Sequence, residues 1–188
     1  MNELAARTLE FWFGPPPLAA RAAWFRNDPA FDAAIAREFG AAVGVALDGG
    51  WREWDATPRG ALARILLLDQ FTRNIHRGTA RAFAGDELAL AAATDLVDAG
   101  ADAALDPIER WFAYLPFEHA ESWPMQQRSI ALTTRLRDEA GFAEPLAWAE
   151  KHAAVIRRFG RYPHRNALLG RASTPEEIAF LREPGSRF

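Results

Sequence analysis

The sequence predicts an all-α fold, either an α-α superhelix or an irregular bundle of about nine helices, and three observations carry the prediction. Ala, Leu, Arg and Glu dominate the chain, β-branched residues are scarce, and turn signals recur about every 12 to 20 residues. The dominant residues lose little side-chain freedom in a helix, whereas β-branched ones crowd the preceding turn. No segment sustains the polar–apolar alternation of a half-buried strand. A chain of 188 residues fits one domain, taken as residues 1–188. At that size folding buries roughly 70% of the surface the unfolded chain exposes, so no metal or disulfide is needed.

The elements follow in order. Residues 2–13 read as a helix stopped by Gly14 and three prolines, and 18–26 as a short helix after them. Asp28 caps a helix over 29–47 that opens on Pro29, and Thr57 caps one over 58–76 that opens on Pro58. Helices over 86–99 and 106–120 come next, the first stopped by Gly100 and the second capped by Asp106 ahead of Pro107. The chain continues with 124–140, stopped by Gly141, and with 145–160. It closes with 174–182, where Thr174, Pro175 and Glu177 in "STPEE" form a capping box. Short connections between sequential helices favour packed pairs.

Composition excludes several function classes. There is no cysteine, so disulfides, thiolate catalysis and Cys-ligated zinc are ruled out. The N-terminal "MNELAARTLEFWFGPPP" lacks a basic segment followed by an apolar core, so no secretory signal is expected. The longest apolar runs, such as "ILLL" and "AAVGVAL", fall far short of the roughly 20 residues of a membrane span. A cytoplasmic location without membrane attachment is the expectation. Arginine supplies 21 of the 22 basic residues and alanine about a fifth of the chain, biases that a GC-rich coding sequence produces. The choice of Arg over Lys therefore carries less weight than usual for bidentate anion recognition.

Three helices carry polar residues on apolar stripes. In the helix from Pro58, Leu62, Ile65 and Leu66 lie on one face, and the same spacing runs on to Asp69 and Arg73. These two are one turn apart and can pair, either as a structural brace or as part of a site. A second stripe, Ile108, Trp111, Phe112 and Leu115, reaches Glu118 and His119. A third, Trp148, His152, Val155 and Phe159, sets His152 among apolar neighbours, where a histidine is more often a satisfied core group than a ligand. Convergence of the polar ends would place Asp69, Arg73, Glu118, His119, His164 and Arg165 around one cavity, the usual form of a binding site.

The stretch "RRFGRYPHRNALLGR", Arg157–Arg171, holds five arginines and a histidine but no acid, in a chain of net charge -3. Its cations need partners from elsewhere: acids such as Asp69, Glu109 and Glu118 for most of them, or an anionic ligand for one or two. Arg73, Asn74 and Gly78 echo Arg165, Asn166 and Gly170 in the pattern R-N-x-x-x-G. The echo fits a repeated helix-end device in which Asn and Gly shape a turn.

No Walker loop, dinucleotide fingerprint, H-E-x-x-H helix or nucleophile elbow occurs, so no cofactor is expected. The four histidines lack metal-ligand spacing. Glu118, His119 and Glu121 do not share a helix face, since adjacent helical residues point about 100° apart, so no metal is expected. A His119 or His164 paired with Asp69 is the acid–base alternative, with no nucleophile identified. Arg interleaved with Phe159 and Tyr162 is the single feature favouring nucleic acid. The acidic balance and the lack of an RNA-binding motif argue against it. The seven tryptophans are spread along the chain at mostly core spacing and form no recognition stripe.

Five segments, "LEFWFG", "ILLLDQFTRNIHRGTARAFAGD", "ERWFAYLPFEHAE", "RFGRYPHRNALLGRASTPEE" and "FLREPGSRF", together resemble bacterial domain of unknown function family 924. The resemblance implies a tetratricopeptide-like (TPR-like) α-α superhelix and brings no established activity. Thr72 stands where the family has proline, and "LPFEHAE" where "LPLMHSE" is usual, which sets Glu118 outside the shared pattern. Asp69, Arg73, Asn74, His119, His164, Arg165 and Asn166 fit it and are the candidate ligand-binding residues. The leading expectation is a pocket for a small anionic molecule or peptide. The alternatives are a hydrolase-type enzyme with a His/Asp general-base pair, and a structural polar network beneath a protein-interaction surface.

Overall fold

The structure, a computed structural model, describes residues 2–24 and 26–186. Among these residues it is all-helical, with eight α-helices and several short 3-10 turns. They are α1 Glu3–Phe13, α2 Pro29–Leu47, α3 from Pro58–Leu66 on through Thr72–Ile75, α4 Asp86–Asp98, α5 Pro107–His119, α6 Trp123–Ala140, α7 Glu144–Phe159 and α8 Pro175–Phe180.

The expected caps form. Asp28 accepts from the amides of Ala30 and Phe31, and Thr57 from that of Gly60. Thr174 and Glu177 make the predicted capping box. Asp106 and Glu109 make a second one from "DPIE", which repeats the spacing of "TPEE". Gly100 and Gly141 stop their helices in left-handed conformations.

The expected helix over 18–26 is corrected to a single 3-10 turn, Ala22–Trp24; Phe25 lies outside the described residues. Side-chain donors from this segment close the end of α1 instead. Arg21 donates to the Phe11 and Trp12 carbonyls, both at 2.6 Å, and the Trp24 indole donates to Trp12 at 3.0 Å.

Helix α3 is buried all round rather than along one stripe. Ala61, Leu62, Ala63, Ile65, Leu66, Leu67, Leu68 and Phe71 are all core residues, because α1, α4 and α5 pack on it and α2 covers its C-terminal half. The four packing partners of α3 are the two helices before it and the two after it in the chain. Helices α5, α6 and α7 pack in sequence against one another. Halfway along α3 the helix widens into a π-turn over Leu67–Phe71, with the Thr72 amide and hydroxyl both bonded to the Leu67 carbonyl. Such insertions frequently mark functional segments, and this one holds Asp69. Among the described residues no helix is long and apolar enough to cross a membrane.

Candidate functional site

The π-turn sets Asp69 at the centre of a hydrogen-bonded group. Its carboxylate is fully buried, 2.8 Å from Arg73 Nη1, 2.7 Å from His119 Nδ1 and 2.5 Å from the Gln70 amide that donates to it. Arg73 also donates to the Asp69 carbonyl at 2.9 Å, so one guanidinium holds both backbone and side chain of the turn.

Asp86, the first residue of α4, is brought to Arg73 by close packing of the preceding loop. A Cβ on Gly85 would lie 2.1 Å from the Leu68 carbonyl oxygen, so only glycine lets the loop rest on the π-turn. Asp86 then reaches Arg73 at 2.9 Å and Arg165 at 3.1 Å. Arg165 comes from the 3-10 turn Pro163–Arg165, 79 residues beyond Asp86 in the chain. Its guanidinium lies 4.7 Å from the ring centre of Phe83 and 4.6 Å from that of Tyr162. It is buried, makes a single ion pair, and keeps a buried Nε with no acceptor among the described residues.

Burial and charge sort the titratable groups. Burial opposes the charge on Asp69, but Arg73 and then His119 and Gln70 outweigh it and hold the carboxyl well below the ordinary range. Burial lowers the pKa of His119 against the pull of Asp69, so the ring is neutral at pH 7. His152 and His164 fall to about 3 and about 4, burial being the first cause, with His119 next for the former and Arg165 for the latter. Glu118 is pushed up to about 8 by burial and by the Asp69 charge, and its carboxyl lies 3.0 Å from His152 Nδ1. That nitrogen also lies 2.9 Å from the Trp148 carbonyl, its partner one turn earlier in α7.

Two cavities flank this group. The first, of about 240 Å³, is lined by Arg73, Arg77, Phe83, His119, His164 and Arg165 with smaller neighbours. The second, of about 460 Å³, is lined by Gln70, Asn74 and Glu118 together with the indoles of Trp24, Trp111 and Trp148. Arg73, Arg77, His119 and His152 line both.

Of the seven residues predicted from sequence, Asp69, Arg73, His119, His164 and Arg165 come together. Asn74 borders the second cavity while donating to Asp32 at 2.6 Å. Asn166 stands apart: fully buried, it donates to Ser173 and Glu177 and accepts from Arg171, and it lines neither cavity. The R-N-x-x-x-G echo is a turn device at both places, with Gly78 and Gly170 at φ of 77° and 66°. Its two arginines also meet on the one carboxylate of Asp86.

The acid partners of the basic stretch differ from those expected. Arg161 pairs with Glu177, Arg165 with Asp86, and Arg171 with Glu121 in a bidentate contact at 2.5 and 2.8 Å. Arg158 lies over the rings of Phe159 and Phe180, and Arg157 over that of Trp123. The acids named from the sequence are engaged elsewhere: Asp69 as above, Glu109 with Arg59 and its own cap, Glu118 with His152. Sequence reasoning missed Asp86 and Phe83, and weighed Glu121 only as a metal ligand, not as the partner of Arg171. Asp86 looks like an ordinary acidic residue in a first helical turn, and only the packing at Gly85 gives it a second role. Among the described residues no group of three or more His, Asp or Glu side chains is arranged to hold a metal ion.

Fold and site together define an all-helical protein built around a buried, charge-paired polar cluster that borders two cavities. The chain belongs to the family described as bacterial protein of unknown function (DUF924), whose model matches residues 8–185. It is also similar to the solved structure of a protein of unknown function, ATU0120, from Agrobacterium tumefaciens. The two are 40% identical, with a TM-score of 0.86 over 95% of this chain and 97% of the other. No curated protein matches the chain.

Proposed function

We infer that this protein binds a small anionic molecule in the cavity in front of Arg165. The supporting observation is the state of that guanidinium: buried, clamped between Phe83 and Tyr162, and spending one contact on a carboxylate it shares with Arg73. A buried guanidinium that makes one ion pair attracts an anion into the cavity it lines through charge-assisted hydrogen bonds. Arg73 and neutral His119 border the same cavity, while Asp69 fixes both of them. The test is a thermal-shift screen of wild type and Arg165→Ala against phosphate, sulfate, nucleotides, carboxylic acids and short acidic peptides. A ligand at a hundred times its Kd adds about 2.7 kcal/mol, a rise of roughly 5 to 10 °C at this size. A rise in wild type that is absent from a folded Arg165→Ala supports the reading. No rise with any anion refutes it and leaves the structural-network reading in its place.

A second reading, acid–base catalysis, is favoured by the 2.7 Å contact between His119 and Asp69. An ionised carboxylate accepts the Nδ1 proton of a neutral imidazole, which makes Nε2 the basic nitrogen. No Ser, Thr or Lys lines either cavity among the described residues, so the base would act on water or on a bound ligand's own proton. On this reading His119→Gln folds and binds ligand but loses turnover. Turnover retained by a folded His119→Gln would exclude it.

A further inference from the structure

The cavity in front of Arg165 is small for a complete ligand. At about 240 Å³ it falls below the roughly 300–1,000 Å³ common for small-molecule sites, whereas its neighbour, at about 460 Å³, falls within that range. The two adjoin, since Arg73, Arg77, His119 and His152 line both. Both are lined by arginines, but their remaining walls differ. The first adds Arg165 and His164, and the second adds three indoles with Phe112 and Leu115 beside Arg26, Gln70 and Glu118.

Resting on the anion-binding reading, we propose that the two cavities are the halves of one site for an aromatic anion, its charged head at Arg165 and its planar apolar body against Trp111, Trp148 and Leu115. Charge complementarity fixes the direction of binding. Arg165 is buried, makes one ion pair and lines the first cavity but not the second, so the head belongs in the first cavity. The second carries indole faces suited to stacking, and Glu118 there is protonated at neutral pH and does not repel an anion passing His119. Leu115 and Trp148 are only partly buried and face the second cavity alone, so they sense the body and not the head.

The experiment is titration calorimetry, backed by tryptophan fluorescence, with phenyl phosphate, indole-3-acetate and 3-phenylpropionate. Phosphate, acetate and neutral indole serve as the separate halves. At least one aromatic anion is expected to bind wild type about tenfold or more tightly than its head group alone, a gain that burying only part of one ring supplies. Leu115→Trp, whose larger side chain intrudes on the second cavity, is expected to reduce that gain. Trp148→Leu, which removes one stacking face without adding bulk, is expected to reduce it, and serves if Leu115→Trp fails to fold. The proposal is overturned if aromatic anions bind no tighter than phosphate or acetate, or if the gain survives both folded variants. Phosphate or acetate binding that is lost in Arg165→Ala, with no aromatic gain, overturns the two-cavity site and leaves the anion-binding reading standing. Absence of binding by every anion, head groups included, overturns both.

Discussion

Nδ1 of His119 lies 2.7 Å from Oδ1 of Asp69, although the two residues are 50 positions apart and sit at the end of one helix and in the π-turn of another. Because the carboxyl is held ionised by Arg73 and the imidazole is held neutral by burial, the shared proton resides on Nδ1. Long-range nitrogen–proton NMR on histidine-labelled protein is expected to show the Nδ1–H tautomer for His119 at pH 7. In Asp69→Asn the His119 pKa is expected to move further down, since the carboxylate is the group that pulls it up. An Nε2–H tautomer in wild type would contradict this arrangement.

Arg73 and Arg165 share Asp86 but are unequal in stability. Truncating Arg73 to Ala leaves Asp69 as a buried carboxylate without its guanidinium, a change that costs about 3–5 kcal/mol. Truncating Arg165 leaves Asp86 still paired with Arg73 and removes mainly the stacking on Phe83 and Tyr162, for which about 1–2 kcal/mol is expected. Urea unfolding of both variants measures the difference. Equal losses would mean that Arg165 is a brace of the same rank as Arg73.

Stability is expected to peak near pH 6.5. From about 4.5 to 6.5 the unfolded chain protonates His152 and His164 from their ordinary 6.5, while the folded chain, with values near 3 and 4, does not. Glu118 works the other way over the same span, protonated when folded and ionised when unfolded. His119 and His76, lowered in the folded chain as well, add to the histidine side, so the unfolded state binds at least about one more proton and stability rises with pH by about 1.4 kcal/mol per unit or more. From about 6.5 to 8 only Glu118 remains unmatched and stability falls at a similar rate. Glu118→Gln is expected to abolish this alkaline fall and steepen the acid one. Unfolding curves across the pH range test both limbs.

Gly85 is expected to tolerate no side chain. In Gly85→Ala the new Cβ meets the Leu68 carbonyl at 2.1 Å, and the loop or the π-turn must move. A loss of about 1–3 kcal/mol follows from overpacking against backbone. The same movement draws Asp86 away from Arg73 and Arg165, so any phosphate-induced thermal shift is expected to change with it. A wild-type melting temperature and an unchanged shift would show that the contact is not needed.

The parts of this fold that rest on local chemistry were legible in the sequence. Caps at Asp28, Thr57, Asp106 and Thr174 form as read, because a cap depends on residues within one turn of it. The Asp69–Arg73 pair is local in the same way. The segment 18–26 misled because its donors serve α1, a contact that propensity does not see. The π-turn left no trace in the hydrophobic pattern either, since a single extra residue in a helix buried on all sides changes no apolar–polar boundary.

The helical class, most of the helix ends and the residue types of the polar cluster follow from the order of residues alone. Which acid meets which arginine depends on how the helices pack. Glu121, Asp86 and Glu177, rather than Asp69, Glu109 and Glu118, answer the basic stretch, because ion pairs form between side chains that packing brings together and sequence distance does not constrain them. Packing alone also clamped Arg165 between two rings and set His119 beside Asp69 where two cavities meet.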